Sequence, residues 1–278
     1  MLQKLLSDCM AKENITDYAP LPLALCRIGR AYLLERLPFR AESALLFLIP
    51  YYAGETVNLS RYAAAGDYHA YARALFARIC PVLSAESGYS FAGFADHSPI
   101  DERHAAALAG LGMVGKNGLL LHPRYGSFVF IAELLTDAPV AALGFDGAHT
   151  IRPCPGCGAC LRACPTGILR GEGEECLSAI TQKKGALTPA EEDAVRRGGS
   201  VWGCDVCQLA CPLNRRAIES GTAMTPIGFF RKDRIPHLTK TILDGMDDAA
   251  FSARAFSFRG RGPLLRNLAL FEADTEKT

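Results

Sequence analysis

The chain has 278 residues, 30 Lys/Arg against 29 Asp/Glu, a formal net charge of +1, and 49% hydrophobic to 21% charged residues. This composition describes an ordinary globular protein with a sizeable core and excludes a uniformly basic nucleic-acid binder. No run is long enough to span a bilayer, and residues 1–20 lack the three regions of a signal peptide, so the expected setting is the reducing cytoplasm with no membrane partner.

Residues 1–37 read as helical, with Leu2, Leu5 and Leu6, then Leu25, Ile28, Leu33 and Leu34 at helical spacing, punctuated by Pro20 and Pro22. The apolar run 44–50 reads as a buried strand, with Tyr51 and Tyr52 at its end, where open sheets commonly place ligands. A long helix is expected over 61–80, a short strand over 89–94, an Ala-rich helix over 100–109, and strands over 118–121 and 127–135. Residues 139–153 read as a Gly/Pro-punctuated linker, and short helices follow Pro212. The expected class is α+β in three parts: an α/β domain over 1–145, a ferredoxin-like domain over 146–218, and a helical tail over 219–278. Ten Lys/Arg against five Asp/Glu between Arg215 and Arg266 give that tail a basic face that can dock phosphates, or a solvated surface with some arginines packed inward.

The cysteines carry the strongest signal. Cys154, Cys157, Cys160 and Cys164, followed by Pro165, have the spacing C-x2-C-x2-C-x3-C-P, in which three cysteines hold one [4Fe–4S] cluster and the fourth holds a second. Cys204, Cys207 and Cys211, followed by Pro212, repeat it without the leading cysteine, because Val201 stands there. Cys176 completes the count. One cluster then takes Cys154, Cys157, Cys160 and Cys211, and the other takes Cys164, Cys176, Cys204 and Cys207. Paired zinc knuckles and disulfides fit the spacing and the compartment less well. Cys9, Cys26 and Cys80 read as small core hydrophobes.

Other signals are weaker. Gly110-Leu-Gly112-Met-Val-Gly115-Lys116-Asn117 fits neither a dinucleotide nor a phosphate loop, because a helix precedes it, a strand follows, and Asn117 replaces the Ser or Thr. Its glycines allow close backbone approach, and a large flat ligand against this turn. Asp96 follows a strand and precedes a helix; by spacing it reads first as a helix cap and second as a general acid. His69, His97, His104 and His122 show no metal-site spacing. The C-x3-C-x2-C of radical enzymes is absent, and Asp67-Tyr-His69-Ala-Tyr-Ala72 does not complete D-x-H-x-x-G.

Together, GDYH at 66–69, Asp96-His-Ser-Pro, AGLGMVGKNGLLL at 109–121, YGSFVFIAELLTD at 125–137, the cysteine runs, ECLSAITQKKGAL at 175–187 and FRGRGPLLRN at 258–267 resemble the epoxyqueuosine reductase family. The likeness covers roughly residues 40–268. It implies two [4Fe–4S] clusters relaying electrons to a base-off cobalamin, and reductive removal of the epoxide oxygen from a modified base in tRNA. It further implies Asp96 as proton donor and cofactor contact, with cobalamin-contacting positions at Leu120, Ile131 and Ser60. A low-potential donor such as ferredoxin or flavodoxin is implied as partner. Family members continue past the RG-x-x-P-x-x-RN segment into helical repeats that help grip tRNA; the resemblance is to a short form without them. The other readings are a corrinoid reductive dehalogenase and an iron–sulfur electron carrier with no catalysis of its own.

Overall fold

The computed structural model describes residues 1–275. Two compact units form: Met1–Pro50 with His69–Gly156, and Tyr51–Tyr68 with the chain from Cys157 onward. This differs from the three-part division read from sequence, because residues 51–68 pack with the second unit and the segment beyond 218 shares that unit's core.

The first unit is built on strand β2 (Ser43–Pro50), buried at every position. It lies in a four-stranded sheet of order β1-β2-β6-β3, with β1 at Tyr18–Pro22, β3 at Phe91–Ala95 and β6 at Val129–Thr136. Every pairing in this sheet is antiparallel, which makes the unit α+β and corrects the α/β expectation. One face, through Ala44, Leu46 and Leu48, packs against Ala105 and Ala106 of the helix Glu102–Leu108. On the other, Phe47 meets Phe76 of the helix Tyr68–Ser87 edge-on at 6.4 Å between ring centres. A strand covered on both faces loses the apolar–polar alternation, which is why the sequence shows a continuous run.

Between the helix Leu2–Lys12 and the helix Ala31–Glu35 the chain is strand β1 rather than helix. Pro20 and Pro22 are tolerated because β1 is an edge strand, where a missing N–H removes no internal ladder bond. The expected helix from residue 61 begins instead at Tyr68, after a 3-10 turn at Arg61–Ala64. The expected linker is stitched to the first unit: the His149 N–H donates to Leu108 O at 2.8 Å, and Pro153 bridges to Val114.

The second unit has its core around Trp202, which is fully buried with Leu238, Phe256 and Leu264. Residues 51–68 run through this core. Leu59 bridges to Trp202, the Val201 N–H donates to Asn58 O at 2.7 Å, and Trp202 Nε1 donates to Tyr62 Oη at 3.1 Å. The terminal helix, Arg261–Thr275, is tied in by Asn267, whose buried Nδ2 donates to Thr181 O and Val201 O, both at 2.8 Å. Replacing Asn267 by Leu leaves two buried carbonyls without that donor. The expected loss of stability is about 2–3 kcal/mol, read by denaturant unfolding. An unchanged midpoint would show that Asn267 is not a clamp.

Candidate active site and cysteine-rich domain

Asp96 is the first residue beyond β3. Its φ of 63° puts a non-glycine residue in the left-handed region, a conformation found mainly where surrounding contacts enforce it. Here the Asp96 N–H donates to Glu102 Oε1 at 2.8 Å, and Asp96 Oδ2 stands 3.2 Å from His69 Nε2. The side chain is 64% exposed at a cavity of about 510 Å³ that Arg30, Ile100, Glu102 and Arg103 also line. The helix-cap reading falls to another residue: Asp101 Oδ1 accepts the His104 N–H at 3.2 Å. Next to Asp96, His97 Nε2 lies 2.8 Å from Tyr32 Oη, across 65 residues of sequence.

Beneath this surface lie two further carboxyls. Glu133, on β6, has no exposed surface and stands opposite Leu46 and Phe94 in the sheet, the same face that carries the helix Glu102–Leu108. Its Oε1 accepts the Ser98 hydroxyl, and its Oε2 has no hydrogen-bond donor among the described residues. Burial pushes Glu133 well above the usual glutamate range, and the neighbouring Glu102 charge adds to it. Burial also pushes Glu102 up to about 7; the Asp96 N–H opposes the shift and the Asp96 charge adds to it.

Two of the expected cofactor positions lie on that face. Leu120, on the hairpin of β4 (Met113–Val114) and β5 (Leu120–Leu121), is buried in the core that Ile131 partly covers. β3 pairs with β6 only from Ala132 to Thr136, so Val129–Ile131 run on past its end, beside the Asp96 turn. Phe94, Val114, Val129 and Ile131 are half-buried and pack against the core of that face. Apolar surface of this kind suits a flat, largely apolar macrocycle, whereas the cavity has the size of a small-ligand site. In the glycine turn a Cβ at Gly112 would stand 2.7 Å from Leu121 O, so at this position the close approach is to the chain's own hairpin. Ser60, the third expected position, belongs to the second unit, is buried, and its hydroxyl donates to Asp205 Oδ1 at 2.5 Å. Tyr51 and Tyr52 are buried as well, with Tyr51 Oη accepting from Gln208 Nε2 at 3.1 Å.

Of the eight expected cluster cysteines, Cys154 belongs to the first unit and the other seven lie in the second. None of the chain's cysteines forms a disulfide. The short helices Ala159–Ala163, Leu177–Thr181 and Val206–Leu209 follow cysteine-bearing turns. Burial pushes the Cys204 thiol up to about 12, and nearby Cys207 and Cys176 add to the shift, so three members of one expected ligand set are neighbours. Among the described residues no three His, Cys, Asp or Glu side chains are grouped as for a single metal ion; in a cubane the four thiolates are distributed around a four-iron cluster.

Four arginines of the basic tail are used inside the fold, while Arg215, Arg216, Arg231, Lys232, Lys240 and Arg259 stay exposed. Arg234 donates to Gly54 O at 2.9 Å, Arg254 to Ala64 O at 2.6 Å, Arg261 to Leu243 O at 2.6 Å, and Arg266 to Gly185 O at 2.6 Å. These four guanidinium groups cap backbone carbonyls, the inward packing that was one of the two readings of the stretch. Among the histidines, His122 pairs with Asp17 at 3.1 Å and stacks on Tyr125.

Fold and cysteine pattern together define a double-cluster iron–sulfur protein with an α+β companion unit: residues 153–214 match the 4Fe-4S double cluster binding domain family. The relatives are more particular. The chain is 38% identical to the epoxyqueuosine reductase of Pseudomonas aeruginosa over 60% of its own length and 46% of that protein's, and 32% identical to that of Aliivibrio fischeri over 83% and 64%. It thus spans about half to two-thirds of the curated relatives it matches. The fold is that of solved epoxyqueuosine reductases. The Streptococcus thermophilus structure superposes with a TM-score of 0.78 at 22% identity, over 99% of this chain and 82% of that one. A structure with an epoxyqueuosine-modified tRNA-Tyr stem loop gives 0.75 at 23%, over 96% and 79%. No helix among the described residues is long and apolar enough to cross a membrane.

Proposed function

We propose that the chain is an oxidoreductase that removes the epoxide oxygen of epoxyqueuosine in tRNA, leaving an alkene and water. The observation that carries the reading is a carboxyl, Asp96, held in a constrained backbone at a cavity beside half-buried apolar side chains, in a chain that also bears a double-cluster domain. Loss of the oxygen as water takes two electrons and two protons. The low-potential reducing power would come from bound cobalamin, fed singly by the two [4Fe–4S] clusters.

The protein's own part is orientation, exclusion of water and proton delivery. Leu120, Val129 and Ile131 would hold the ring, with Ile131 and Val129 presenting apolar surface beside the Asp96 turn. Asp96 would protonate the departing oxygen, and His69, 3.2 Å away, would orient its carboxyl. Cluster ligation would follow the sets Cys154, Cys157, Cys160, Cys211 and Cys164, Cys176, Cys204, Cys207. A cytoplasmic setting and a ferredoxin- or flavodoxin-like donor suit such chemistry. Grip on tRNA is expected to be modest, given the inward use of four tail arginines. Anaerobic reconstitution with iron, sulfide and cobalamin tests the reading: the purified chain should carry about eight irons, as two cubanes require, together with a corrinoid absorption spectrum. Iron without corrinoid uptake would reduce the chain to an electron carrier.

A further inference from the structure

We propose that Asp205, gripped by Ser60 and Arg61, is the positioning residue of the Cys204–Cys207 turn, and that the buried Arg61–Asp205 ion pair sets how readily the cluster on that turn takes up an electron. The inference rests on the ligand set Cys164, Cys176, Cys204 and Cys207 proposed above, but not on cobalamin, tRNA or the reaction. Asp205 stands directly after Cys204 and two residues before Cys207, so whatever fixes its side chain restrains the turn. It is the N-cap of the helix Val206–Leu209, where an aspartate ordinarily accepts an N–H from its own helix. Its side chain makes no such bond here. Both oxygens turn back to residues 60 and 61 instead. Oδ1 accepts the Ser60 hydroxyl at 2.5 Å, while Oδ2 accepts the Arg61 N–H at 2.8 Å and Arg61 Nη1 at 3.2 Å. The backbone on either side is held as closely. The Ser60 N–H donates to Trp202 O at 2.8 Å, and the Gly203 N–H to Thr181 Oγ1 at 3.0 Å. Gly203 has φ 74°, and a Cβ there would stand 2.5 Å from Ser60 Cβ, so residues 60 and 203 meet at a distance that requires glycine.

Stability alone is a weak reason to keep this pair. The side chains of Arg61 and Asp205 are 6% and 5% exposed, and the cost of desolvating two charges largely offsets their attraction. Their position supplies a better one. Reduction adds a negative charge to a cluster, and nearby charges that water cannot screen weigh most on that step. Arg61 stays protonated and favours the reduced cluster; the Asp205 carboxylate opposes it. Around the pair stand Glu55, which accepts from Arg61 Nη2 and from the Tyr52 hydroxyl, and Arg234, which donates to the Gly54 and Glu55 carbonyls. The Glu55 side chain is 66% exposed, so solvent screens it far more than it screens the buried pair. Removing either member of the pair therefore leaves the other uncompensated beside the ligand turn.

The test uses the full chain reconstituted anaerobically with iron and sulfide, its clusters titrated at fixed pH and followed by electron paramagnetic resonance. The cluster concerned is the one missing from Cys207→Ser. Arg61→Gln should lower its reduced-to-oxidised ratio at a fixed potential by about tenfold, which is ~59 mV for one electron. Asp205→Asn should raise the ratio by a similar factor, and the double variant should return towards the wild type. Arg61→Lys keeps the charge and should stay close to the wild type. Opposite shifts from two partners of one ion pair separate charge from mere loosening, which would push both variants the same way. The grip has its own readout: Ser60→Ala, which leaves both charges in place, should release this cluster to a chelator faster than the wild type does. Should Arg61→Gln fail to fold, Asp205→Asn and Arg61→Lys decide the matter. Shifts of one sign in both single variants, no shift in Asp205→Asn, or wild-type iron retention in Ser60→Ala would each overturn the proposal. A wild type without this cluster would overturn the ligand set, and the proposal with it.

Discussion

Asp96→Asn is expected to lose turnover by about 10²–10⁴-fold, the range for a removed general acid, while taking up cobalamin as the wild type does. The substitution isolates the proton for three reasons. Asparagine tolerates the left-handed backbone that Asp96 adopts, so no strain is added at φ 63°. The bond from this residue to Glu102 is made by the backbone N–H and survives. The amide oxygen can still face His69, so the turn keeps its shape. Alanine would be a poorer test, because it would lose the side-chain contact to His69 and sit less well in the left-handed region. Single-turnover conversion measured against corrinoid absorption separates the two effects. Full activity in Asp96→Asn would remove Asp96 from the chemistry.

The second large effect falls on the iron. Cys207→Ser should reduce bound iron from about eight to about four per chain and abolish electron delivery, because a [4Fe–4S] cluster needs four thiolates. Cys207 and Cys176 both lie near Cys204, in the same expected ligand set, so loss of this ligand is expected to be felt by one cluster only. The helices beside these cysteines are five residues or fewer, too short to hold themselves, and the cluster is expected to hold the local fold together. The same substitution at Cys26 is the control: this thiol is buried in the first unit's core, and burial pushes its pKa up to about 12. Iron content in Cys26→Ser should match the wild type. If Cys207→Ser keeps all its iron, the ligand assignment is wrong.

The double-cluster domain was legible because cluster ligation is a local constraint: a loop must wrap a fixed object, and spacing records it. Strand β2 was legible for a similar reason, since a run of six apolar residues has few places to go. The two carboxyls beneath Asp96 were not. Glu102 and Glu133 are 31 positions apart, and only the antiparallel register of β6 with β2 and β3 brings Glu133 beneath the helix that starts at Glu102. A charged residue inside FVFIAELLTD was the available signal, and it reads as an anomaly only once the strand is known to be buried. His69 is hidden in the same way, 27 residues from Asp96. The prolines of β1 misled because an edge strand and a broken helix leave the same mark in sequence. The inward packing of Arg254 and Arg266 was not legible, because charge does not say whether a side chain faces solvent or caps a carbonyl.

The most direct measurement offers an epoxyqueuosine-bearing tRNA stem loop to the reconstituted, cobalamin-loaded chain under reducing, anaerobic conditions, then weighs the released nucleoside. A product lighter by one oxygen atom, formed only when iron, cobalamin and reductant are all present, is the predicted result. An unchanged nucleoside beside fully reduced cobalamin would contradict the assignment of this substrate.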